Sequence, residues 1–283
     1  MSDHRVCLSF DFDAWSGMVA RGMTTPTPVS RGEFGVMATD RILRLLARRN
    51  IASSWYVPGV VAAAYPDHIR RIAAEGHEIG NHGWTHVPPA NLSPEDERAG
   101  LIRANETLDA LTGRTPAGYR SPSWDLSPVT VDLLLEQGFL YDSSMMGDDH
   151  TPYYARRGDV VPDDAPVIFG EETALVEMPI SWSLDDFPHF EFLRGAGGIL
   201  PGLSSARGVE DNWVDDFAWM VRTTQSGVLT YTFHPFVIGR GHRMMLLERL
   251  IDRLRDHGAV FCTLESAARD FRDGRAEFGR LRD

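Results

Sequence analysis

The chain has 283 residues, of which 43% are hydrophobic and 24% charged, a composition typical of a globular protein with a sizeable core. Its formal net charge of −12 would repel a phosphate backbone, which argues against nucleic acid as a partner. All 28 basic residues are arginine, so neither Schiff-base chemistry on lysine nor a phosphate-binding P-loop is available.

Short apolar runs alternate with longer stretches of helical periodicity along the whole chain. This alternation predicts parallel strands joined by crossover helices, in either a closed barrel or an open doubly wound sheet. No linker or repeat divides residues 1–283, which we expect to form a single domain. The polar stretch 147–172 is long for a loop and is interpreted as functional or mobile. In chain order the sequence predicts strands at 6–13, 52–57, 77–80, 117–120, 139–143, 175–180, 228–233 and 259–263, with helices at 36–49, 67–74, 93–111, 129–137, 211–223 and 244–257.

The sequence contains no obvious membrane or secretion signal. No run approaches the ~20 apolar residues of a transmembrane helix, and the N-terminal residues lead straight into a strand-like run. Cys7 and Cys262 lie far apart, each in an apolar run, as expected of reduced core thiols. We therefore expect a cytoplasmic protein without a membrane partner.

Two acids lie near the C-terminal end of the first predicted strand. Asp11 and Asp13 are two residues apart, so both point to the same face. Two carboxylates that close together are costly to bury unless a cation lies beside them. The pair indicates either a functional site or a solvated strand end with one acid capping the next turn.

A pair of histidines follows the third predicted strand. His82 and His86 are four residues apart, a spacing that brings two imidazoles together on a helical turn or in a tight loop. Sites in α/β folds gather at the C-terminal ends of strands, where the acids also lie. Two histidines and one carboxylate leave coordination positions open, as in a catalytic site for Zn²⁺, Co²⁺, Ni²⁺ or Mn²⁺. Ordinary core packing is the alternative for the histidines.

Two further strand ends carry residues of the types that hydrolysis needs. Arg120 is suited to holding a carboxylate bidentately, or lies at the surface. His234 is either structural or a proton donor. The nearby aromatic and acidic residues are interpreted as substrate-binding residues of a pocket, or else as core and strand-end residues. They are Trp84, Trp124, Tyr154, Trp182, Asp185 and Asp186.

The order of these motifs resembles that of the polysaccharide deacetylases (carbohydrate esterase family four). The resemblance spans nearly the whole chain and is closest to the cytosolic peptidoglycan-deacetylase-like and cyclic-imide-hydrolase-like branch. It implies a distorted (β/α) barrel of about seven parallel strands, and a homo-oligomer. The motifs that carry it are Asp-x-Asp at 11–13, Asn-His-x-x-x-His at 81–86, Arg-x-Pro-x-Trp at 120–124, Asp-Ser-Ser at 142–144 and His-Pro at 234–235.

The resemblance also implies a role for each motif residue. It implies a metal-dependent hydrolase of amide C–N bonds, which removes N-acetyl groups from an amino-sugar by metal-activated water. Secreted relatives have two adjacent aspartates where Phe12 separates them here, which points away from a polymeric cell-wall substrate and towards a small molecule or oligosaccharide. The implied roles are metal binding for Asp13, His82 and His86, general base for Asp11, orientation of that base for Arg120, and general acid for His234.

Two other functions remain open at the level of sequence. A ring-opening hydrolase of cyclic imides would use the same residues, with the departing nitrogen tethered to the product. A metal-free hydrolase or a catalytically silent binding protein of the same fold is the third possibility. Metal content and assays with both substrate classes distinguish the three.

Overall fold

Seven parallel strands make up most of the central sheet in the computed structural model, which describes residues 3–195 and 198–282. The remaining strands are short or lie at the edges of the sheet. In chain order the strands are β1 (Asp3–Asp11), β2 (Ser54–Val57), β3 (Glu78–Asn81), β4 (Gly118–Tyr119), β5 (Tyr141–Asp142), β6 (Tyr153–Arg157), β7 (Glu171–Glu177), β8 (Leu193–Gly195), β9 (Gly198–Leu200), β10 (Ser226–Phe233) and β11 (Val260–Phe261).

The strand order confirms the distorted barrel. Strands β10, β1, β2, β3, β4, β5 and β7 lie side by side, each parallel to the next. The sheet curls without closing completely, and an isolated parallel bridge from Asp185 to Thr232 joins the segment after β7 to β10. Strand β11 pairs with β1, and β6 runs antiparallel to β7. The bridge matters for function because it brings the 181–186 segment to the end of β10.

Helices cover the outside of the sheet and bury their apolar faces against it. Val6, Leu8 and Phe10 of β1 are fully buried, and Leu43 and Leu46 pack against the same core. No helix among the described residues combines the length and apolarity needed to cross a bilayer. The helices are α1 (Ser16–Ala20), α2 (Pro26–Arg49), α3 (Gly59–Ala64), α4 (Pro66–Ala74), α5 (Pro94–Thr112), α6 (Thr130–Glu136), α7 (Asp186–Phe190), α8 (Ala206–Thr223), α9 (Pro235–Ile238), α10 (Gly241–Asp256) and α11 (Leu264–Arg272).

Local capping chemistry sets the ends of the long helices. Ser93 caps α5 by accepting a hydrogen bond from Asp96 N at 3.1 Å, as its sequence predicts. Gly113 ends α5 in the left-handed conformation with φ 73°. Helix α2 begins ten residues before the predicted helix at 36–49, because Pro26 fits the first turn, where no backbone donor is needed.

The stretch 147–172 is more ordered than the sequence suggests. The prediction of a loop throughout this stretch was wrong, since β6 lies within it and pairs with β7. Strand β6 sits at the sheet edge and carries Arg156 and Arg157, so it lacks the apolar run that marks a buried strand. Helix α11 was not predicted either, although Thr263 caps it by accepting from Ser266 N at 3.1 Å.

Candidate metal centre

The polar residues at the strand ends meet at one rim of the barrel. Strands β1, β3, β4 and β10 end at Asp11, Asn81, Tyr119 and Phe233. The side chains singled out from the sequence belong to these strand ends or to the residues that follow them. Because parallel strands place their carboxyl ends at the same edge, distant stretches of chain supply one site.

Asp13, His82 and His86 form the centre of this site, and these three side chains are here called the metal cluster. His82 Nε2 lies 3.4 Å from Asp13 Oδ1, and His86 Nε2 lies 3.1 Å from Asp13 Oδ2. All three side chains are buried, and their ligand atoms lie within 4.8 Å of one another. The structure therefore brings together the three residues predicted to bind a metal.

The hydrogen bonding of His82 shows that this cluster fits a cation. His82 Nδ1 lies 2.7 Å from the carbonyl oxygen of Arg120, which only accepts, so Nδ1 carries the proton and Nε2 presents a lone pair. His82 Nε2 and Asp13 Oδ1 are both buried without a hydrogen-bond partner. Two facing acceptors are costly to bury unless a positive ion lies between them.

The electrostatics of the cluster favour the protonation states that metal binding requires. Burial lowers the pKa of His82, which keeps the imidazole neutral and able to coordinate. Burial acts to raise the pKa of Asp13, but the neighbouring His86 and His82 hold it below its usual value. An ionised carboxylate and imidazole nitrogens that present lone pairs are the donor set of a divalent metal site.

A second cluster, Asp185, Asp186 and His234, has similar spacing but different bonding. Its ligand atoms also lie within 4.8 Å of one another. His234 Nδ1 donates to Asp186 Oδ1 at 2.8 Å, and the same oxygen accepts from His234 N at 3.0 Å. A proton already occupies the space between these groups, so this cluster is satisfied without a metal.

His234 is held as a cation beside the metal cluster. Burial acts to lower its pKa, but Asp185 and Asp186 outweigh burial and raise the pKa of His234 to about 10. Burial also raises the pKa of Asp185, to about 8. His234 Nε2 lies 3.7 Å from Asp13 Oδ2, so its proton faces the site.

Arg120 fixes Asp11, the other acid of the Asp-x-Asp motif. The guanidinium is fully buried and donates from Nη1 to Asp11 Oδ1 at 2.8 Å. It also donates to Ser9 Oγ at 2.8 Å, to Ser143 O at 3.1 Å and to Ser143 Oγ at 3.0 Å. The central carbon of the Arg120 guanidinium lies 4.1 Å from the ring centroid of Tyr56. These contacts leave Arg120 and Asp11 little freedom to move.

A cavity of about 100 Å³ opens above the metal cluster. Of the residues predicted to contact the substrate, Trp124, Trp182 and Asp185 line it. The two indole rings stack with centroids 4.1 Å apart. Asp185 caps α7 by accepting from Phe187 N at 2.7 Å, which holds its carboxylate in the wall.

The structure does not bring Trp84, Tyr154 and Asp186 to the lining of this cavity. Trp84 turns away from the histidines into a separate cavity of about 280 Å³, where Arg103 stacks on its ring. Tyr154 packs against Phe271, 5.3 Å between ring centroids, because β6 lies at the far edge of the sheet. Asp186 lies behind His234 and reaches the site only through it.

Comparison with known proteins decides the family. A model of the polysaccharide deacetylase family matches residues 5–141. The peptidoglycan deacetylase of Helicobacter pylori is 34% identical over 280 residues, covering 94% of this chain and 95% of that protein. The chain belongs to the polysaccharide deacetylase family. It is a hydrolase of non-peptide amide C–N bonds, of a family that uses a divalent metal.

Solved structures show the same fold. A structure from Mycobacterium smegmatis assigned to the polysaccharide deacetylases has a TM-score of 0.77 and 28% identity, covering all of this chain (100%) and 94% of that chain. An allantoinase structure has a TM-score of 0.74 and 21% identity, covering 95% of this chain and 90% of that chain. At that identity the likeness to the allantoinase shows the fold alone.

Several residues of this deacetylase site were not singled out from the sequence. Ser9 and Ser143 hold Arg120, and Arg21 and Phe187 line the cavity. Ser143 belongs to the Asp-Ser-Ser motif, so its position was noted without a role. Arg21 lies eight residues after Asp13, directly after a helix of five residues, which is too short for periodicity to give a signal. Only the folded geometry identifies it.

The wall of the cavity contains strained backbone. Ser123 and Trp124 both have positive φ, 58° and 56°, although neither is glycine. Such residues cost of order 1–3 kcal/mol each and persist when surrounding contacts fix them. The kink follows Pro122 and turns the Trp124 ring onto Trp182. The backbone is therefore shaped to present this indole to the cavity.

Proposed function

We propose that the chain removes N-acetyl groups from a small or oligomeric amino-sugar substrate, with one divalent metal held by Asp13, His82 and His86. The observation that carries the proposal is a pair of buried atoms, His82 Nε2 and Asp13 Oδ1, that lie 3.4 Å apart and have no hydrogen-bond partner. The whole-chain similarity to a peptidoglycan deacetylase supports an N-acetylated sugar as substrate. Asp11 and His234, to which we assign the proton transfers, line the same pocket as the three metal-binding candidates.

In this proposal Asp11 acts as the general base. A bound divalent ion supplies Lewis-acid chemistry here, lowering the pKa of water and polarising a carbonyl oxygen. Arg120 bonds Asp11 through Oδ1, which leaves Oδ2 to take the proton of the attacking water. Because Arg120 is itself held by Ser9 and Ser143, the carboxylate keeps one orientation throughout the reaction.

His234 acts as the general acid. Its Nδ1 is bonded to Asp186, so the proton on Nε2 faces the cavity and reaches the departing nitrogen. An amine leaves poorly unless it is protonated, and a general acid contributes ~10²–10⁴ in rate. The raised pKa keeps this proton in place at neutral pH.

We propose Zn²⁺ as the metal, with Co²⁺, Ni²⁺ and Mn²⁺ as alternatives, because the two imidazoles and one carboxylate suit all four ions.

We also propose a cytoplasmic homo-oligomer. The free thiols of Cys7 and Cys262 lie 3.8 Å apart without a disulfide, which fits a reducing compartment. Val161, Ile168 and Phe169 are strongly exposed on one hairpin, and an interface between subunits would cover them.

Ring opening of a cyclic imide is the second candidate. The cavity above the metal cluster is small, about 100 Å³, and aromatic rings wall it. A compact planar ring matches such a space, whereas a long polymer needs an open groove. Asp11 and His234 would serve the same roles, with the nitrogen retained on the product.

The experiment that separates the two candidates uses metal-loaded protein and two substrate classes. We expect acetate release from oligomers of N-acetylglucosamine and little opening of succinimide or glutarimide. The variant Asp11→Asn is the control, since it preserves shape but cannot accept the proton. Imide opening without acetate release would replace the first candidate with the second, and no product from either class would overturn both.

A further inference from the structure

A guanidinium lies at the mouth of the metal pocket. Arg21 directly follows α1 and is the only arginine in the pocket lining among the described residues. Its Nη1 donates to Gly17 O at 2.7 Å, and its guanidinium carbon lies 5.3 Å from the Phe187 ring centroid. These contacts hold the cation in place, although the residue remains exposed to solvent.

Arg21 forms no ion pair within the part of the chain that the structure describes, although the charge of Asp13 acts on it from a longer distance. It takes part in none of the ion pairs there, and its hydrogen bonding uses Nη1 alone. The acids nearby have closer partners, Asp13 in His86, Asp11 in Arg120 and Asp186 in His234. Nε and Nη2 therefore remain for a ligand, and a guanidinium fork matches a carboxylate in two parallel hydrogen bonds.

The cation lies close to the metal cluster. A methyl group built on Gly17 would lie 3.3 Å from Arg21 Nη1 and 3.7 Å from both Asp13 Oδ2 and His86 Nδ1. A single methyl group at this point would therefore be close to the Arg21 guanidinium and to the side chains of Asp13 and His86. A substrate whose scissile carbonyl is at the metal cluster reaches Arg21 with a substituent only a few bonds away.

Building on the proposed function, we propose that Arg21 selects amide substrates that carry a carboxylate beside the scissile bond. Asp11 and Asp13 line the same pocket and would repel a substrate carboxylate, and Arg21 adds to the positive charge of His234 that offsets this repulsion. A neutral acetamide needs no countercharge. An unpaired arginine at this position therefore favours the anionic member of any matched substrate pair.

The first test compares turnover of N-acetylmuramic acid and N-acetylglucosamine, which share the amide and differ by a carboxylate-bearing ether. Arg21→Gln should lower kcat/KM for the anionic sugar about tenfold or more and leave the neutral sugar within about threefold. Arg21→Lys should restore part of the preference. Arg222→Gln is the matched control, because Arg222 also stacks on an aromatic ring, Trp219, far from the pocket. An equal loss for both sugars in Arg21→Gln would overturn the proposal.

The second test measures binding and does not depend on turnover. Calorimetry would compare succinamate, which carries one carboxylate, with the neutral succinamide. We expect wild type and Arg222→Gln to prefer succinamate by about tenfold or more, and Arg21→Gln to lose that preference. A wild type without this preference, or a variant that keeps it, would overturn the proposal. Intact preference in a protein that turns over neither amino sugars nor imides would instead count against the proposed function alone.

Discussion

The protonation of single side chains decides what the rim of the barrel can bind. The carbonyl of Arg120 fixes the tautomer of His82 and aims a lone pair at Asp13. The Nδ1 atom of His234 is also hydrogen-bonded, but its partner is the carboxylate of Asp186, which favours a protonated ring. We therefore assign the two clusters different proposed roles, the first in metal binding and the second in proton donation.

Replacing Asp13 with asparagine should separate metal binding from folding. The new amide donates to His82 Nε2 and so satisfies an atom that lacks a partner. We expect the metal-free variant to be as stable as wild type or more stable by about 1 kcal/mol. Thermal unfolding with and without Zn²⁺ measures this, since bound metal raises Tm only where the site is intact. A variant whose Tm still rises with Zn²⁺ would show that the ion binds elsewhere.

Replacing Asp186 with asparagine should move the pH dependence of catalysis. If His234 donates the proton as proposed, activity falls as pH rises through its pKa, which Asp185 and Asp186 raise. Removing one negative charge lowers that pKa, and the falling limb of kcat/KM should move to lower pH by about one unit or more. The asparagine oxygen still accepts from Nδ1, so orientation is kept. A uniform loss of activity with an unmoved limb would assign Asp186 a purely positional role.

At the scale of elements, two acids lie side by side on the paired strands β5 and β7. Asp142 and Glu177 are both fully buried, and burial raises the pKa of Asp142 to about 6. Burial and the charge of Asp142 also raise the pKa of Glu177. The oxygens Asp142 Oδ2 and Glu177 Oε2 have no hydrogen-bond partner in the described structure. We therefore expect the folded chain to hold a proton between Asp142 and Glu177.

This pair should make stability depend on pH. Between about pH 4 and 6 the folded chain keeps a proton that an unfolded aspartate has released, so the free energy of unfolding falls as pH rises. In Asp142→Asn the amide donates to Glu177 without titrating, and the fall should shrink by on the order of 1–3 kcal/mol. Urea denaturation across this range measures it, with the exposed Asp132→Asn as control. Equal slopes in wild type and Asp142→Asn would contradict the shared proton.

Elements with a clear local signal were predictable from the sequence. The apolar run of β1 and the Ser93 cap of α5 both have local causes, and both lie where expected. Strand β6 and the start of helix α2 could not be predicted from local sequence. The first is a polar edge strand whose partner lies elsewhere in the chain, and the second begins in a stretch, 26–35, that buries only glycines.

At the scale of the whole molecule, barrel curvature assembles the site. Strand order alone places Asp13, His82 and Arg120 at one rim, which is why spacing and strand ends were enough to group them. The contact of Asp186 with His234 depends on the bridge that nearly closes the barrel, and no local pattern reveals it. Trp84 shows the converse, since its closeness in sequence to the histidines does not make it part of the pocket.

The most direct measurement is the position of the metal in a crystal of metal-loaded protein, by anomalous scattering at the absorption edge of that metal. We expect one peak per chain, within ~2.0–2.2 Å of Asp13, His82 Nε2 and His86 Nε2. A peak at Asp185 and Asp186 instead, or none in protein that is active after chelation, would show that the three side chains do not share a catalytic ion.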